Sequence, residues 1–345
     1  MASPRLLENA PLLTRNTFRV AATAPLLAEV PDRAALDELL RFETLLRMPL
    51  LVLGQGSNLL LAGDPPGLVL HLDLRGIAVV REDADGALVR AEAGVVWNEF
   101  VHYTLGRRLE GLENLALIPG HVGAAPIQNI GAYGAEVGQF IETVEAFDRA
   151  SGRVVRLDNA ACGFAYRDSV FKRQPERWIV IAVEFRLPRQ HELQTAYAGI
   201  AEELAAMGVT SPRAAHVAEA VIRLRTRKLP DPALIGNAGS FFKNPQVDAT
   251  TAQDLLAHNP RLPVYSASTP GQRKLSAGWL IDACGWKGFR EGDAGISDRH
   301  ALVLVNHGQA SGAQLLDLAR RVAASIRDRF GVTLEPEPRI VGASW

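Results

Sequence analysis

The stretch Ile118-Pro-Gly-His-Val-Gly-Ala-Ala-Pro-Ile-Gln-Asn-Ile-Gly-Ala-Tyr-Gly134 organises the chain around it. Its seventeen residues hold four glycines, two prolines and three alanines, and no side chain with a formal charge. An ordinary surface loop carries charge and tolerates bulk. Glycine permits positive φ and close backbone approach, and alanine leaves room beside it. Such a segment, rich in free backbone N–H groups, is suited to lie against something large, polar and anionic. Backbone amides can receive phosphate oxygens without any basic side chain. The plainer role is a tightly packed core crossing.

A second glycine turn lies upstream, in Leu50-Leu-Val-Leu-Gly-Gln-Gly-Ser-Asn-Leu-Leu-Leu61. An apolar strand leads into Gly54-Gln-Gly56, and a second strand-like run follows. A dinucleotide fingerprint needs a third glycine opening a helix. Here Gly63-Asp-Pro-Pro-Gly67 breaks any helix, so a Rossmann unit is disfavoured. The turn can still cradle phosphate through its amides, Ser57 and Asn58, with a plain β-turn as the alternative.

Composition narrows the class. The chain has 345 residues, enough for two or three domains, and 48% apolar content supports a sizeable core. Thirty-seven basic and 38 acidic side chains nearly cancel, which gives no support for nucleic-acid or anionic-membrane binding. The two cysteines, Cys162 and Cys284, are far apart and exclude a cysteine-only metal site. No basic n-region precedes an apolar core at the N-terminus. No apolar run reaches the roughly 18–20 residues of a membrane span. A soluble, cytoplasmic protein is expected.

Read in order, Asn16–Val20 is an entry strand and Asp32–Leu46 a helix capped by Asp32. Short strands are expected at Leu68–Leu74, Ile77–Arg81 and Ala87–Ala93, and a helix at Trp97–Arg108. Strands Ile141–Asp148 and Arg153–Leu157 form a hairpin, and Trp178–Leu187 is a strongly apolar strand. Ser211-Pro212 is an N-cap followed by proline at the first helical position. Thr250/Thr251 caps a helix through His258. Ser276–Ala283 is a short helix and His300–Asn306 a strand. Ser311 caps the clearest helix, with Leu315, Leu318, Val322, Ile326 and Phe330 inward and Gly331 as its stop. Val332–Glu337 and Arg339–Val341 form a terminal strand interrupted by Pro338.

Zinc and serine-hydrolase chemistry find no support: there is no His-Glu-x-x-His, Gly-x-Ser-x-Gly or Walker A pattern. Polar residues in unusual settings remain. Arg167 lies within Ala-Tyr-Arg-Asp-Ser, Ser240 between Gly239 and two phenylalanines, and Glu337 between two prolines. Each has a plain role available. Arg167 suits a surface ion pair with Asp168, Ser240 the backbone of a turn, and Glu337 an exposed edge charge. Arg225 and Lys228, late in a helix, suit its dipole.

Six motifs in order change those odds. They are Gly54-Gln-Gly-Ser-Asn58, Ile118–Gly134, Tyr166-Arg-Asp-Ser169, Gly236-Asn-Ala-Gly-Ser-Phe-Phe-Lys-Asn-Pro245, Ser276-Ala-Gly-Trp-Leu-Ile-Asp282 and Leu334-Glu-Pro-Glu-Pro-Arg339. Together they closely resemble the MurB family, the UDP-N-acetylenolpyruvoylglucosamine reductases of bacterial peptidoglycan precursor synthesis. The resemblance runs from about Asn16 to Gly342, and Tyr197 points to the longer subtype with a tyrosine-bearing segment over the substrate.

The resemblance implies an α+β fold: a two-subdomain FAD-binding domain of the vanillyl-alcohol-oxidase (PCMH) type and a C-terminal α+β substrate-binding domain. The implied division is an N-terminal extension (1–15), the FAD-binding domain (16–188), a substrate-covering segment (189–210) and the substrate domain (211–345). Non-covalent FAD is implied to rest on Gly54, Gln55, Gly56, Ser57, Asn58, Pro119, Gly120, Gly123, Ala124, Ala125, Gln128, Asn129, Gly131, Ala132 and Tyr133. NADPH would reduce the FAD. The enolpyruvyl ether of UDP-N-acetylglucosamine would then take hydride at C3, giving UDP-N-acetylmuramate. Ser240 would protonate C2, while Arg167 and Glu337 would stabilise the enolate; preorganised donors are usually the largest catalytic term. Glu337 cannot help as an anion and is expected to be protonated or hydrogen-bonded through the site. Tyr197, Arg225, Lys228 and Asn244 would contact the uridine diphosphate moiety, and Lys228 is a candidate to polarise Ser240. No metal, nucleic-acid or membrane partner is expected, and the enzyme is expected to act as a monomer.

Gln55 and Pro338 depart from the family pattern, and Pro338 is expected to alter strand pairing beside Glu337. Two rivals stand against this reading. One is an oxidase of the same flavin fold with covalently tethered FAD, for which His121 is the candidate residue. The other is a catalytically silent flavin- or nucleotide-sugar-binding protein.

Overall fold

The computed structural model describes residues 3–197, 199–267 and 269–345. By contacts the chain forms two compact units that do not follow chain order. One comprises residues 1–10, 24–55 and 66–227; the other comprises 11–23, 56–65 and 228–345.

The first unit carries two larger sheets and the short hairpin of Gly131–Ala132 with Ala135–Glu136. Strands Thr23–Val30, Leu68–Leu72 and Leu50–Leu53 run parallel, with Arg5–Pro11 at the outer edge. The second sheet is antiparallel, in the order Arg153–Asp158, Ile141–Asp148, Trp178–Pro188, Gly86–Glu92 and Ile77–Glu82. Its central strand, Trp178–Pro188, is buried on both faces, which explains its unbroken apolar run. Ile179 and Ile181 pack in one core with Leu36, Leu50 and Leu70. Val180, Val183 and Phe185 pack in another with Trp97, Phe100 and Val122. The stretch 118–134 belongs to this second core through Val122 and Ala125.

In the second unit, Leu59–Leu61 pairs parallel with Arg339–Val341. Two further three-stranded antiparallel sheets are built from residues 246–275 and 290–306. The helix Gly312–Phe330 buries Leu315, Leu318, Val322 and Ile326. Ser311 caps it in a capping box with Gln314, and Gly331 ends it in the left-handed conformation (φ 67°).

Several elements differ from expectation. Residues 16–20 form no strand, because the buried Asn16 amide bonds Leu12 O, Val20 O and Val20 N and so replaces a ladder. The expected helix 32–46 splits into Arg33–Leu39 and Glu43–Arg47, although Asp32 does cap it through Ala35 N. Arg41 N and Phe42 N bond three residues back, tightening the turn between the halves. The helix expected from Ser211 begins at Ala214, where His216 Nδ1 accepts from Arg213 N. Asp248, not Thr250 or Thr251, caps the next helix, accepting from both the amide and the hydroxyl of Thr251. The strand before Asn306 starts only at Leu304. Residues 332–337 make a single bridge, Phe242 to Pro336, rather than a strand. The helix Ile200–Ala206 was not foreseen. Beyond Gly54-x-Gly56 a strand follows and no helix, as the missing third glycine requires.

Among the described residues, no helix is long and apolar enough to cross a membrane. Nor, among these residues, is any cluster of three or more His, Cys, Asp or Glu side chains placed to hold a metal ion.

Candidate active site

In the first unit the stretch 118–134 lies across the end of the strand Gly86–Glu92. Gly123 N donates to Ala93 O (2.9 Å) and Val122 N to Val95 O (2.8 Å). Gly120 N donates to Gln55 Oε1 (2.9 Å), joining the two glycine turns. Ala124 N and Ala125 N close a tight turn on His121 O and Val122 O, and Ile130 N bonds Ala125 O. The expectation of a stretch rich in free amides is therefore corrected at these residues. A buried amide must find a partner, and a segment this small and this deep finds it in the chain itself. The stretch presents something else outward: the exposed methyl of Ala124, and Gly134, where an added Cβ would meet nothing within 4 Å.

Three of the residues singled out, Asn129, Tyr133 and Arg167, are non-glycines with positive φ (47°, 50° and 53°). Such conformations cost about 1–3 kcal/mol each and persist where surroundings over-determine them. The surroundings here are a set of ties between the stretch and the loop 165–169. Buried Asn129 donates to Ala165 O (3.1 Å) and Glu136 Oε2 (2.9 Å) and accepts from Gly138 N (2.8 Å). Ser169 Oγ donates to Ile127 O (2.5 Å). Arg167 Nη2 donates to Gly131 O (2.6 Å), and its guanidinium lies over the Tyr166 ring, 5.4 Å from the centroid. A Cβ on Gly131 would fall 2.9 Å from Arg167 Nη1, so this glycine makes room for the arginine. Asp168 pairs with Arg173.

The same unit gathers Tyr133, Tyr197 and Arg225. The two tyrosine rings meet edge to face at 5.2 Å. Burial pushes the Tyr133 phenol up, against the opposing charge of Arg225. Burial also lowers Arg225 itself, and its Nε is buried with no hydrogen-bond partner among the described residues. The buried Asn114 side chain donates to Tyr133 O and to Gln194 O, both at 2.8 Å. It thereby ties the tyrosine-bearing segment to the stretch. Nothing in the sequence around Asn114 signals this role, since one asparagine before a glycine-rich run reads as loop.

In the second unit Gly56 (φ 64°) packs so closely that a Cβ would lie 2.3 Å from Arg15 O. Thr17 N bonds its carbonyl at 3.1 Å. Ser240 and Glu337, 97 positions apart in sequence, come onto neighbouring segments: Glu337 N donates to Phe241 O (2.8 Å) and Lys243 N to Glu335 O (3.0 Å). Ser240 bridges Val303 on its other side. It is not the residue that satisfies its turn, because Asn237 Oδ1 takes Gly239 N (3.0 Å). Pro338 lies between the two pairings of this segment. Having no N–H, it stands where the chain leaves the 241–243 segment and joins Leu59–Leu61 in parallel, Arg339 N bonding Asn58 O at 3.1 Å. Asn244 Oδ1 accepts from Ala277 N (2.9 Å) and so helps cap the helix Ala277–Ala283. Lys228 stands near His300, which burial and then the charges of Lys228 and Lys287 hold below the usual histidine range. His300 was not foreseen.

Comparison with known proteins agrees with this division of labour. Residues 24–158 match the FAD binding domain family, and residues 231–341 match the C-terminal domain of UDP-N-acetylenolpyruvoylglucosamine reductase. The chain is 61% identical over 341 residues to a UDP-N-acetylenolpyruvoylglucosamine reductase of Xanthomonas axonopodis pv. citri (strain 306), covering 99% of this chain and 97% of that one. A namesake from Xanthomonas campestris pv. campestris (strain 8004) is 59% identical, covering 100% and 99%. The crystal structure of the MurB enzyme from Thermus caldophilus superposes with a TM-score of 0.65 at 28% identity, covering 99% of this chain and all of that one.

The first unit fits FAD on its own terms. The outward face of the stretch is small and uncharged at Ala124 and Gly134, as a flat ring system needs, and one buried imidazole nitrogen, His121 Nδ1, has no partner among the described residues. The fold class is thus α+β, with a PCMH-type FAD-binding domain and a MurB C-terminal domain. The chain belongs to the UDP-N-acetylenolpyruvoylglucosamine reductase (MurB) family of FAD-dependent oxidoreductases.

Proposed function

We propose that this enzyme uses NADPH to reduce the enolpyruvyl ether of UDP-N-acetylglucosamine to UDP-N-acetylmuramate, with Arg167, Ser240 and Glu337 as its catalytic residues. FAD, when bound, would supply hydride-transfer chemistry between NADPH and C3 of the double bond. The rest is the work of the chain. Arg167 is pinned by Gly131 O and the Tyr166 ring, and its planar fork suits the substrate carboxylate, where charge grows as C3 takes hydride. Glu337 supports the same enolate as a hydrogen-bonding group, and Ser240 delivers the proton to C2, so that one hydride and one proton add across the double bond.

The single observation that carries the reading is the Glu337 N to Phe241 O bond at 2.8 Å, which sets Glu337 beside Ser240 across a short ladder. Lys228, near His300 in the same unit, supplies positive charge that favours loss of the serine proton and its replacement from solvent. Arg225, with its buried and unsatisfied Nε, is suited to an anionic oxygen of the uridine diphosphate. Tyr197, half exposed beside Tyr133, is suited to cover it. Asn244 and Lys228 complete the proposed substrate contacts, and the glycine turns 54–58 and 119–133 the cofactor contacts. The nucleotide-sugar and NADPH are both cytoplasmic reactants, so the reaction belongs in the cytoplasm. The test is anaerobic NADPH consumption by FAD-loaded enzyme. Oxidation that depends on the enolpyruvyl nucleotide-sugar and yields UDP-N-acetylmuramate is expected, and oxidation indifferent to that substrate overturns the proposal.

A further inference from the structure

The segment that carries Tyr197 is fastened at its root to the loop 110–114. Glu110 N donates to Pro188 O at 2.8 Å, and Glu110 Oε2 accepts from His191 N at 2.9 Å. The His191 ring meets Phe140 edge to face at 5.3 Å. The loop is itself held in shape, since Gly111 N donates to Glu113 Oε2 at 2.6 Å. Asn114, only 1% exposed, makes the last of these ties. Its amide has two N–H donors, and both are used, one on Gln194 O and one on Tyr133 O. Tyr197 therefore stands three residues beyond one fixed point. Three residues further on, Ile200 is buried in the core of this unit and opens the helix Ile200–Ala206. On the facing side the same amide holds the backbone of Tyr133, which is in the left-handed conformation (φ 50°). One buried side chain thus fixes the backbone on both sides of the Tyr133–Tyr197 ring pair.

We propose that Asn114 is a positioning residue for the nucleotide-sugar, holding Tyr197 beside Tyr133 in the place from which Tyr197 covers the substrate. Asn114 acts only through the two backbone carbonyls. A segment already held in its bound place need not be ordered by the ligand, so binding is tighter. Without the amide that ordering falls to each binding event, and affinity drops. The proposal rests on Tyr197 being a substrate contact, and its test separates the two ideas.

The enolpyruvyl nucleotide-sugar is titrated calorimetrically into oxidised, FAD-loaded enzyme, with NADPH left out so that binding is read without turnover. Wild type, Asn114→Ala, Tyr197→Ala and the double variant form a cycle. Each single variant is expected to raise Kd about tenfold, the coupling scale of residues in one network, and the double variant no more than either. An Asn114 with a merely structural role would add its loss to that of Tyr197, giving about a hundredfold in the double variant, and that result overturns the proposal. Wild-type affinity in Asn114→Ala, with Kd raised in Tyr197→Ala, also overturns it and leaves Tyr197 as a substrate contact. Wild-type affinity in Tyr197→Ala removes that contact, and the proposal falls with it. A wild type that does not bind the nucleotide-sugar overturns the proposed function as well. If Asn114→Ala does not fold, Asn114→Ser, which keeps one donor, takes its place in the cycle, with a smaller rise and the same non-additivity expected.

Discussion

Arg167 and Gly131 hold one another in place: the guanidinium Nη2 donates to the glycine carbonyl at 2.6 Å, and the missing glycine Cβ leaves the space that Nη1 occupies. The arginine does not reach into its position from a free loop. Its backbone is in the left-handed region, and Lys172 Nζ bonds its carbonyl at 2.9 Å. A donor aimed at developing charge works best when its orientation costs nothing at the moment of reaction.

Gly131→Ala is therefore expected to move Arg167 without touching it chemically. The new methyl would lie 2.9 Å from Nη1 and 3.0 Å from Ala135 O, so the guanidinium must yield. At saturating FAD, reduction by NADPH should slow far less than reoxidation by the nucleotide-sugar, which falls about a hundredfold, the scale set by small misplacements of catalytic groups. Stopped-flow measurement of the two half-reactions distinguishes this from a general loss of fold, which would depress both.

Ser240→Ala separates the halves in the same way for a different reason. The serine hydroxyl takes no part in satisfying its turn, since Asn237 does so, and the alanine variant should fold as the wild type does. Loss of a general acid slows proton transfer by about a hundredfold to ten-thousandfold. Flavin reduction by NADPH should be unchanged and the second half-reaction should carry the whole defect. A matching loss in both halves would make Ser240 structural.

These expectations concern residues that stand out in the sequence, and the reason is physical. Glycine turns, the Arg167 loop and the Ser240 and Glu337 segments are places where residue choice departs from what a loop or strand wants. The long strand Trp178–Pro188 and the helix from Ser311 were equally legible, because burial on both faces and a capping box each leave a local pattern. Asn16 misled because its ladder is made by one side chain rather than by a partner strand. The free amides of 118–134 misled because composition reports small residues and says nothing of what the amides bond. Asn114 acts through contacts 19 and 80 residues away and His300 through distant lysines, and no local window contains those partners.

The cap of the long helix offers a stability measurement free of catalysis. Ser311 Oγ accepts from Gln314 N (3.2 Å), and Gln314 Oε1 accepts from Ser311 N (2.8 Å). Ser311→Ala removes one of these reciprocal bonds at a helix that buries seven residues in the second unit. A loss of about 1 kcal/mol in urea unfolding is expected, with kcat unchanged. No loss would mean that packing alone holds the first turn.

The last expectation follows from His121 and carries a sign that can be checked in apo-enzyme. Burial, with His71 and Arg75 nearby, brings this imidazole from an ordinary 6.5 to about 4, Asp73 opposing. A histidine whose folded value is depressed takes up its proton more readily when unfolded, so stability falls as pH drops from about 6.5 toward 4. His300 and His307 are shifted in the same direction, burial being the first cause at each, and add to the trend. The contribution of His121 is isolated by comparison with His121→Asn, which cannot titrate there. Between pH 7 and pH 5 the wild type should lose about 2 kcal/mol more than the variant, from the linkage of one group over that window. Unfolding free energies measured at the two pH values give the difference directly. Parallel losses in the two proteins would mean that His121 titrates normally, and the imidazole would then be neither as buried nor as neutral as the packing around Gly54 and His71 makes it.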